Sequence, residues 1–412
     1  MTNFIPQDFL VDHLFILVGT NPLPCFVAGK LLRNKGGTIY LVYSTKTENY
    51  VNSLSTALSG CQLISLNDAA RNPDKIVANM SKKSSRLTGA VGLHYTGGTK
   101  VMAVHCYRAI LEKYPDAICS YLDPDRLELC FERDGKTHGS PIKLTVAATN
   151  AAVKLTLHQL WLLHNKKPFL KEHNPKVFSE RTTPLIPGIA PLLARHFGTM
   201  IDGVNGQRIW EGQAWIDVFK GEKKLKDDAP ITALPYQDVV DLLKQIKPDI
   251  QTIGELKNSL GSRANNYLGE GGDWLEDWVL ESLQELKEKL AFNDIVCSAR
   301  TQRTNKPSEC EMELDVVAIR GYQLFIFSCY AGSNMDTCKA KLYEAAMRAQ
   351  QLGGSEARFA LVCGHSNKTQ VEDQMGGTTA ALSYTVFDRP DLPNLKTHIE
   401  NWIREVDRET SL

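Results

Sequence analysis

The chain has 412 residues, of which 47 are Lys or Arg and 47 are Asp or Glu, so its formal net charge is zero. Hydrophobic residues make up 43% of the sequence and charged residues 23%, which is typical of a soluble globular protein, and the length predicts two or three domains. Zero net charge excludes a globally basic protein, so any nucleic-acid-binding surface must be a local patch.

No apolar run is long enough to span a membrane, and the first residues lack the basic-then-apolar order of a signal peptide. The ten cysteines include no CxxC pair, which argues against a zinc ribbon. We therefore expect reduced thiols and a cytoplasmic protein with no membrane partner.

The first 135 residues alternate strand patterns with helical patterns. Residues 13–19 form a near-continuous apolar run, as in a strand that is covered on both faces. A short apolar strand at residues 90–95 precedes a segment whose apolar residues lie three and four apart, as in an amphipathic helix. This alternation predicts βαβ units and a mostly parallel sheet. Further strands are predicted at residues 37–43, 61–66, 117–123 and 127–132, and helices at residues 25–33, 48–58 and 68–83.

Two loops leave the carboxyl ends of predicted strands, where a parallel sheet binds its ligand. They are "GTNP" at residues 19–22 and "TGGTK" at residues 96–100. Glycines let the backbone approach a ligand closely, and the free N–H groups at a helix start, together with Lys100, favour a phosphate. The second loop matches neither the Walker A pattern nor GxGxxG. The residues alone leave two interpretations open: a phosphate-binding loop, or a tight turn in which Thr99 caps the helix.

The strand followed by "TGGTKVM" is similar to the signature of CRISPR-associated Rossmann-fold (CARF) sensor domains. It most resembles those fused to a restriction-endonuclease-like domain in type III CRISPR ancillary nucleases. The resemblance covers roughly the first 150 residues, the segment 155–165 and, separately, the last 145 residues. It implies a homodimer that binds a cyclic oligoadenylate, usually cyclic tetra-adenylate, across its two-fold axis. The ligand-binding residues that the resemblance implies are Thr20, Asn21, Thr96, Gly97, Gly98, Thr99 and Lys100.

The middle of the chain is less informative. Pro and Gly punctuate residues 166–236, which predicts loops, short strands and room for one helix. Two short helices are predicted in "YQDVVDLLKQI" and "TIGELKNSLG". Such a pair can form a DNA-binding helix-turn-helix or a connector that packs the sensor onto the effector. Neither helix has a strongly basic face, which favours the connector.

The third region begins with a helical pattern at residues 273–290, in which Glu276 lies beside an apolar stripe. The order of the following elements resembles the core of PD-(D/E)XK nucleases, in which a helix glutamate, a strand aspartate and an E-x-K hold divalent metal and activate water. The resemblance implies Glu276 and Asp315 as metal-binding catalytic residues, with Glu313 on the same strand face as Asp315. The alternatives are a solvated helix charge and a strand-edge charge. The predicted elements are a strand at residues 294–301, a hairpin at 310–330 that turns near Arg320 and Gly321, a helix at 338–352 and a strand at 357–363.

The sequence departs from that family at the E-x-K position, where it has Ser328, Cys329 and Tyr330. A serine is a poor substitute for a metal-binding carboxylate, and a phenol cannot supply the lysine's positive charge. Three explanations remain open: Lys339 or Lys341 reaches in from the next helix, the domain is a degenerate nuclease that binds without cutting, or the change is an inactivating substitution. Alternation along the strand puts Ser328 and Tyr330 on one face, and we expect Tyr330 to project toward Asp315 in place of the lysine.

These observations predict an α/β protein with a CARF sensor at residues 1–150, a connector at 151–265 and a restriction-endonuclease-like effector at 266–412. The expected function is a cyclic-oligoadenylate-activated nuclease that uses Mn or Mg to cut DNA and/or RNA. The alternative is a catalytically degenerate, ligand-gated nucleic-acid-binding or regulatory protein of the same fold. The candidate catalytic residues are Glu276, Asp315, Ser328 and Tyr330.

Overall fold

The structure is a computed structural model that describes residues 4–169, 180–202, 207–220, 223–269, 272–375 and 384–409. Part of the proline-punctuated stretch after residue 166 and the residues Glu270 and Gly271 lie outside the described residues. Among the helices of the described part, none combines the length and the hydropathy that crossing a bilayer would require.

The N-terminal sheet has the mostly parallel order that the sequence predicts. Strands β1 to β5 pair in parallel in the order β3-β2-β1-β4-β5, and β6 adds an antiparallel edge. The chain therefore reverses its direction across the sheet between β1 and β4. The strands are β1 Val11–Leu17, β2 Arg33–Tyr43, β3 Cys61–Ser65, β4 Val91–His94, β5 Ile118–Asp123, β6 Glu128–Arg133, β7 Lys136–Thr137 and β8 Ile142–Lys143, and the helices are α1 Leu23–Leu31, α2 Glu48–Leu58, α3 Pro73–Lys83 and α4 Lys100–Lys113.

Helix boundaries in this region follow local capping. The single helix expected at residues 68–83 is a 3-10 turn followed by α3, because the Asn72 side chain caps a new helix by accepting from the Lys75 amide, and Pro73 begins it. Helix α1 begins two residues earlier than expected, with Pro24 in the first turn, where a missing N–H costs nothing.

The middle region is more helical than expected, since residues 166–236 contain two helices among their described residues. A proline lies in the first turn of the first of them, where it is compatible with a helix. The pair predicted at residues 236–261 is confirmed. The elements are α5 Val146–Ala152, α6 Leu157–Leu163, α7 Ile189–Gly198, β9 Met200–Asp202, β10 Arg208–Trp210, α8 Gln213–Phe219, α9 Gln237–Ile246, α10 Ile253–Leu260 and α11 Ala264–Leu268.

The C-terminal region has the predicted order of helix, strand, hairpin, helix and strand. Its sheet runs β11-β12-β13-β14-β15, antiparallel across the first three strands and parallel across the last three. The elements are α12 Asp273–Leu290, β11 Phe292–Arg303, β12 Lys306–Arg320, β13 Gln323–Tyr330, α13 Met335–Gly353, β14 Arg358–Cys363, α14 Lys368–Glu372, β15 Tyr384–Phe387 and α15 Leu395–Glu409.

One hydrophobic core joins the two ends of the molecule. It contains Ile16 of the N-terminal sheet, Trp161 of α6, Ile326 of the C-terminal sheet and Leu342 of α13. The N-terminal and C-terminal sheets thus pack together through α6 and α13.

A second core covers the opposite face of the C-terminal sheet. There Phe327 and Val279 pack with Val240 of α9 and Leu256 of α10. The apolar faces of α9 and α10 are therefore buried in the same core that covers this face of the sheet.

Candidate functional site

The two ligand loops lie side by side at the switch point of the N-terminal sheet. Gly97 packs against the end of β1, where an added Cβ would overlap the Leu17 carbonyl oxygen. Gly98 has a φ of +79°, which favours glycine. Gly97 is therefore required by the close approach to β1, and Gly98 is required by the left-handed turn. Because neither residue has a side chain, the backbone of the loop is open to a ligand.

The polar residues of these loops have distinct local roles. Thr99 caps α4 by accepting from the Met102 amide at 3.2 Å, as expected. The Thr96 hydroxyl accepts from the Leu122 amide at 2.7 Å, and Asn21 accepts from the Leu23 amide at 3.1 Å. Lys100 is exposed at the first position of α4 and forms no ion pair within the described ranges. Its ammonium group is thus available to a ligand.

Five of the seven predicted ligand residues line one hollow of about 520 Å³. Thr99 lines a neighbouring hollow of about 550 Å³ beside Lys46 and Arg71, and Lys100 lies at the adjacent helix start. The residues around the first hollow are Thr20, Asn21, Thr96, Gly97 and Gly98 from the loops, with Gln350, Gly354, Ser355 and Glu356 from the C-terminal region among the others. Nothing in the sequence indicates that these C-terminal residues lie beside the loops.

Glu276 lies in the first turn of α12 and is only 8% exposed. Its Oε2 accepts from the Ser298 hydroxyl at 2.8 Å and lies 3.6 Å from guanidinium nitrogens of Arg181 and Arg263. Burial, and then the charges of Asp315 and Asp273, raise the pKa of Glu276 to about 8. The helix acid is therefore buried beside a second carboxylate, as the helical pattern predicted.

Asp315 lies where β12 and β13 separate, just beyond the last strand pair, Val316 with Phe327. Its Oδ2 accepts from the Cys329 amide at 2.7 Å, the Ser328 hydroxyl at 3.1 Å and Lys341 Nζ at 3.2 Å. Three donors on one oxygen hold the carboxylate in one orientation. Ser328 thus contacts the predicted strand aspartate directly.

Lys341 is the cation that contacts Asp315. Burial alone would lower its pKa, but Asp315 and Glu276 raise it above its ordinary value, so the ammonium stays charged. Lys339 is exposed on another face of α13, as the two-residue spacing predicts. The structure therefore distinguishes the two lysines that the sequence left as alternatives.

We expected Tyr330 to project toward Asp315, but in the structure it does not. Its ring covers Gly332, where a Cβ would overlap the phenol oxygen, and its hydroxyl forms no hydrogen bond to Asp315 or Glu276 among the described side chains. The predicted alternation holds, because Tyr330 packs with the α13 side of the sheet and Cys329 with the other side. The cation expected on β13 is instead supplied by α13, whose Lys341 contacts Asp315.

Two arginines behind Glu276, the buried Arg263 and the partly buried Arg181, were not predicted. Arg181 pairs with the fully buried Asp277, and Arg263 lies 3.2 Å from Asp273. The acids have a sequence signal, because "DWLED" places three carboxylates within the first two turns of an apolar helix. The arginines have none, since they come from the middle region and meet α12 only in the folded chain.

Comparisons with known proteins give matches for the C-terminal region and for the fold. Residues 264–406 match the family model described as "Card1-like, endonuclease domain". Solved structures with the same fold include protein VC1899 from Vibrio cholerae, with a TM-score of 0.64 and 14% identity over 96% of this chain and 98% of that one. Another is Can2 from Sulfobacillus thermosulfidooxidans in complex with cyclic tetra-adenylate, with a TM-score of 0.61 and 14% identity over 95% of this chain and 99% of that one. The comparison with curated proteins finds no match.

Proposed function

We propose that the protein is a metal-dependent endonuclease activated by a cyclic oligoadenylate, with cyclic tetra-adenylate as the first activator to test. The observation that carries the proposal is the cluster of Glu276, Asp315 and Lys341, which lies inside the region similar to an endonuclease domain family. Metal-assisted phosphodiester hydrolysis needs two carboxylates and a lysine. Here they meet at the point where β12 and β13 separate.

Asp315 and Glu276 are the residues that would hold a divalent cation, Mn or Mg. Burial and mutual repulsion raise the pKa of Glu276, and a cation between the two carboxylates would relieve that repulsion. The described ranges contain no group of three or more His, Cys, Asp or Glu side chains placed to hold a metal ion, and the proposal therefore relies on these two acids alone. When bound, the metal supplies a Lewis acid and an activated water.

The chain's own residues perform the remaining tasks. Lys341 stabilises the negative charge that develops on the phosphate, and it stays protonated because two carboxylates face it. Ser328 and the Cys329 amide orient Asp315, while Ser298 orients Glu276. We assign the cation's role to Lys341 and no proton-transfer role to Tyr330.

The N-terminal loops are proposed as the activator site. Can2, which shares this fold, has been solved in complex with cyclic tetra-adenylate. Here the bare glycine backbone, the start of α4 and the exposed Lys100 lie together at the switch point of a parallel sheet, where phosphate groups are favoured.

A two-fold homodimer would complete that site. Val101 and Val104 lie one helical turn apart beside Lys100, and they are 39% and 61% exposed. An apolar strip next to the phosphate loop suits a contact that brings two loops together around a ring-shaped ligand. The proposed substrate is DNA and/or RNA, and the proposed compartment is the cytoplasm.

A second candidate is a catalytically degenerate, ligand-gated nucleic-acid-binding protein. Ser328 and Tyr330 at the E-x-K position favour it. Calorimetric titration with Mn²⁺, followed by incubation with plasmid DNA and RNA in the presence of cyclic tetra-adenylate, separates the two. If the protein is a nuclease, it binds Mn²⁺ and cuts nucleic acid, and the substitution Asp315→Asn removes both properties. Activator-dependent nucleic-acid binding without cutting would establish the second candidate instead.

A further inference from the structure

The hollow beside the ligand loops has walls from both ends of the chain. Thr20, Asn21 and Gly97 form the N-terminal side, and Gln350 and Glu356 form the C-terminal side. A ligand that occupied this hollow would therefore lie against residues from both regions.

The C-terminal wall is the end of α13 and the turn after it. Gly354 has a φ of +69°, and a Cβ there would overlap the Asn21 side-chain amide, so the turn packs directly on the first ligand loop. At the same end of α13, His164 contacts the Leu352 carbonyl at 2.8 Å, and burial lowers the pKa of this histidine to about 4, which keeps it neutral. This end of the helix is thus fixed between the sensor loop and α6.

The chemistry of this wall suits a base more than a phosphate. The Glu356 carboxylate is 4% exposed, and the Gln350 amide is exposed at the hollow. The Gln350 side-chain oxygen can accept a hydrogen bond from the exocyclic amino group of adenine, and the described residues that line this hollow include no Lys or Arg to attract a phosphate. The phosphates would then face the loop that carries Lys100.

The other half of α13 carries Lys341, which contacts Asp315 at 3.2 Å. Lys341 and Gln350 are about 14 Å apart along the axis of one uninterrupted helix. Leu342 and Ala349 both lie in the core shared by the two sheets, so both halves of the helix pack in one core. Because Lys341 is on this helix and not on β13, a displacement of α13 at the hollow would change the distance from Lys341 to Asp315.

We propose that α13 couples the two sites: a cyclic oligoadenylate contacts Gln350 and the turn at Gly354–Glu356, and thereby sets the position of Lys341 against Asp315. This proposal rests on the function proposed above. Coupling is reciprocal, so a change at Lys341 must alter the affinity for an activator that it does not touch.

The test measures binding of cyclic tetra-adenylate to the full-length protein by calorimetry. Lys341→Met should change the affinity by about fivefold or more relative to Lys339→Met, its exposed neighbour on the same helix. Gln350→Ala should weaken binding by about tenfold relative to Gln370→Ala, a change at an exposed glutamine of α14 that does not line this hollow. Far-ultraviolet circular dichroism and melting curves check that all four variants fold.

Equal affinities for Lys341→Met and Lys339→Met would overturn the coupling, and equal affinities for Gln350→Ala and Gln370→Ala would overturn the contact. Both results leave the proposed function intact if the wild type binds the activator and cuts. A wild-type protein that binds no cyclic tetra-adenylate overturns the proposed function and this coupling together. If it binds but does not cut, the nuclease assignment fails, while the affinity comparison still decides the coupling.

Discussion

The ligand loops and the acid cluster are assembled in opposite ways. The second loop is a run of adjacent residues, from Thr96 to Lys100, between one strand and one helix. The cluster draws Glu276, Ser298, Asp315 and Lys341 from four separate elements. A contiguous loop can be recognised in the sequence. A cluster from separate elements can be predicted only if the order of the strands in the sheet is known. The following predictions test that contrast, from the largest effect to the smallest.

Asp315→Asn should remove cleavage, because it weakens metal binding and also removes the charge that pairs with Lys341. Stabilisation of the transition state by the metal contributes several kcal/mol, so its loss corresponds to a fall in single-turnover rate of about 10³-fold. Glu313→Gln is the matched control, since Glu313 is exposed on the same strand and pairs with Arg300. Neither change should affect activator binding through the loops by as much as Lys100→Ala does. Equal cleavage by the two variants would remove Asp315 from the site.

Lys341→Met should slow cleavage by about 10²-fold, the usual effect of removing one preorganised charge-stabilising group. Lys339→Met and Tyr330→Phe should cleave at close to the wild-type rate, since neither side chain reaches Asp315. Rates measured at saturating Mn²⁺ check this. If Tyr330→Phe were the slow variant and Lys341→Met the fast one, the cation would be wrongly assigned.

Lys100→Ala should weaken cyclic tetra-adenylate binding by roughly 10- to 100-fold, because a charge-assisted contact to phosphate contributes about 1.5–3 kcal/mol. Maximal cleavage at saturating activator should be retained, in contrast to the effector variants. Lys113→Ala, at the far end of α4, is the control for calorimetry. An unchanged affinity would place the ligand elsewhere.

Val104→Asp should dissociate the proposed dimer, since a carboxylate in an apolar contact is costly to desolvate. Light scattering at micromolar concentration should give twice the chain mass for the wild type and the chain mass for the variant. A monomeric wild type, unchanged by activator, would contradict the two-fold site.

The smallest effect concerns stability. Burial raises the pKa of Glu356 to about 7 from 4.5, so the folded protein binds this proton more tightly than the unfolded chain does. Its contribution to stability is present below pH 4.5 and is lost as the pH rises to about 7. Between these values the free energy of unfolding should fall by about 1 kcal/mol per pH unit from this group. Glu356→Gln should flatten that slope in urea unfolding experiments, and an equal slope in both proteins would contradict it.

The sequence predicted the N-terminal sheet, the Thr99 cap and the start of α12 at Asp273, because each depends on local periodicity or capping. That Glu276 and Asp315 share one metal site stays a prediction, and the effect of the Asp315 charge on the pKa of Glu276 supports it. The sequence could not choose between Lys339 and Lys341, because that choice depends on how α13 rotates against β12. The contact between Asn21 and Gly354 joins opposite ends of the chain and has no local signal.

The central claim is that an activator at one end of the molecule controls cleavage at the other. The most direct measurement is the rate at which the wild-type protein cuts plasmid DNA and RNA with Mn²⁺, in the presence and absence of saturating cyclic tetra-adenylate. We expect cleavage of at least one substrate, faster with the activator by about tenfold or more, and abolished by chelation of the metal. A rate that does not depend on the activator, or no cleavage of either substrate while the activator is bound, would contradict the account.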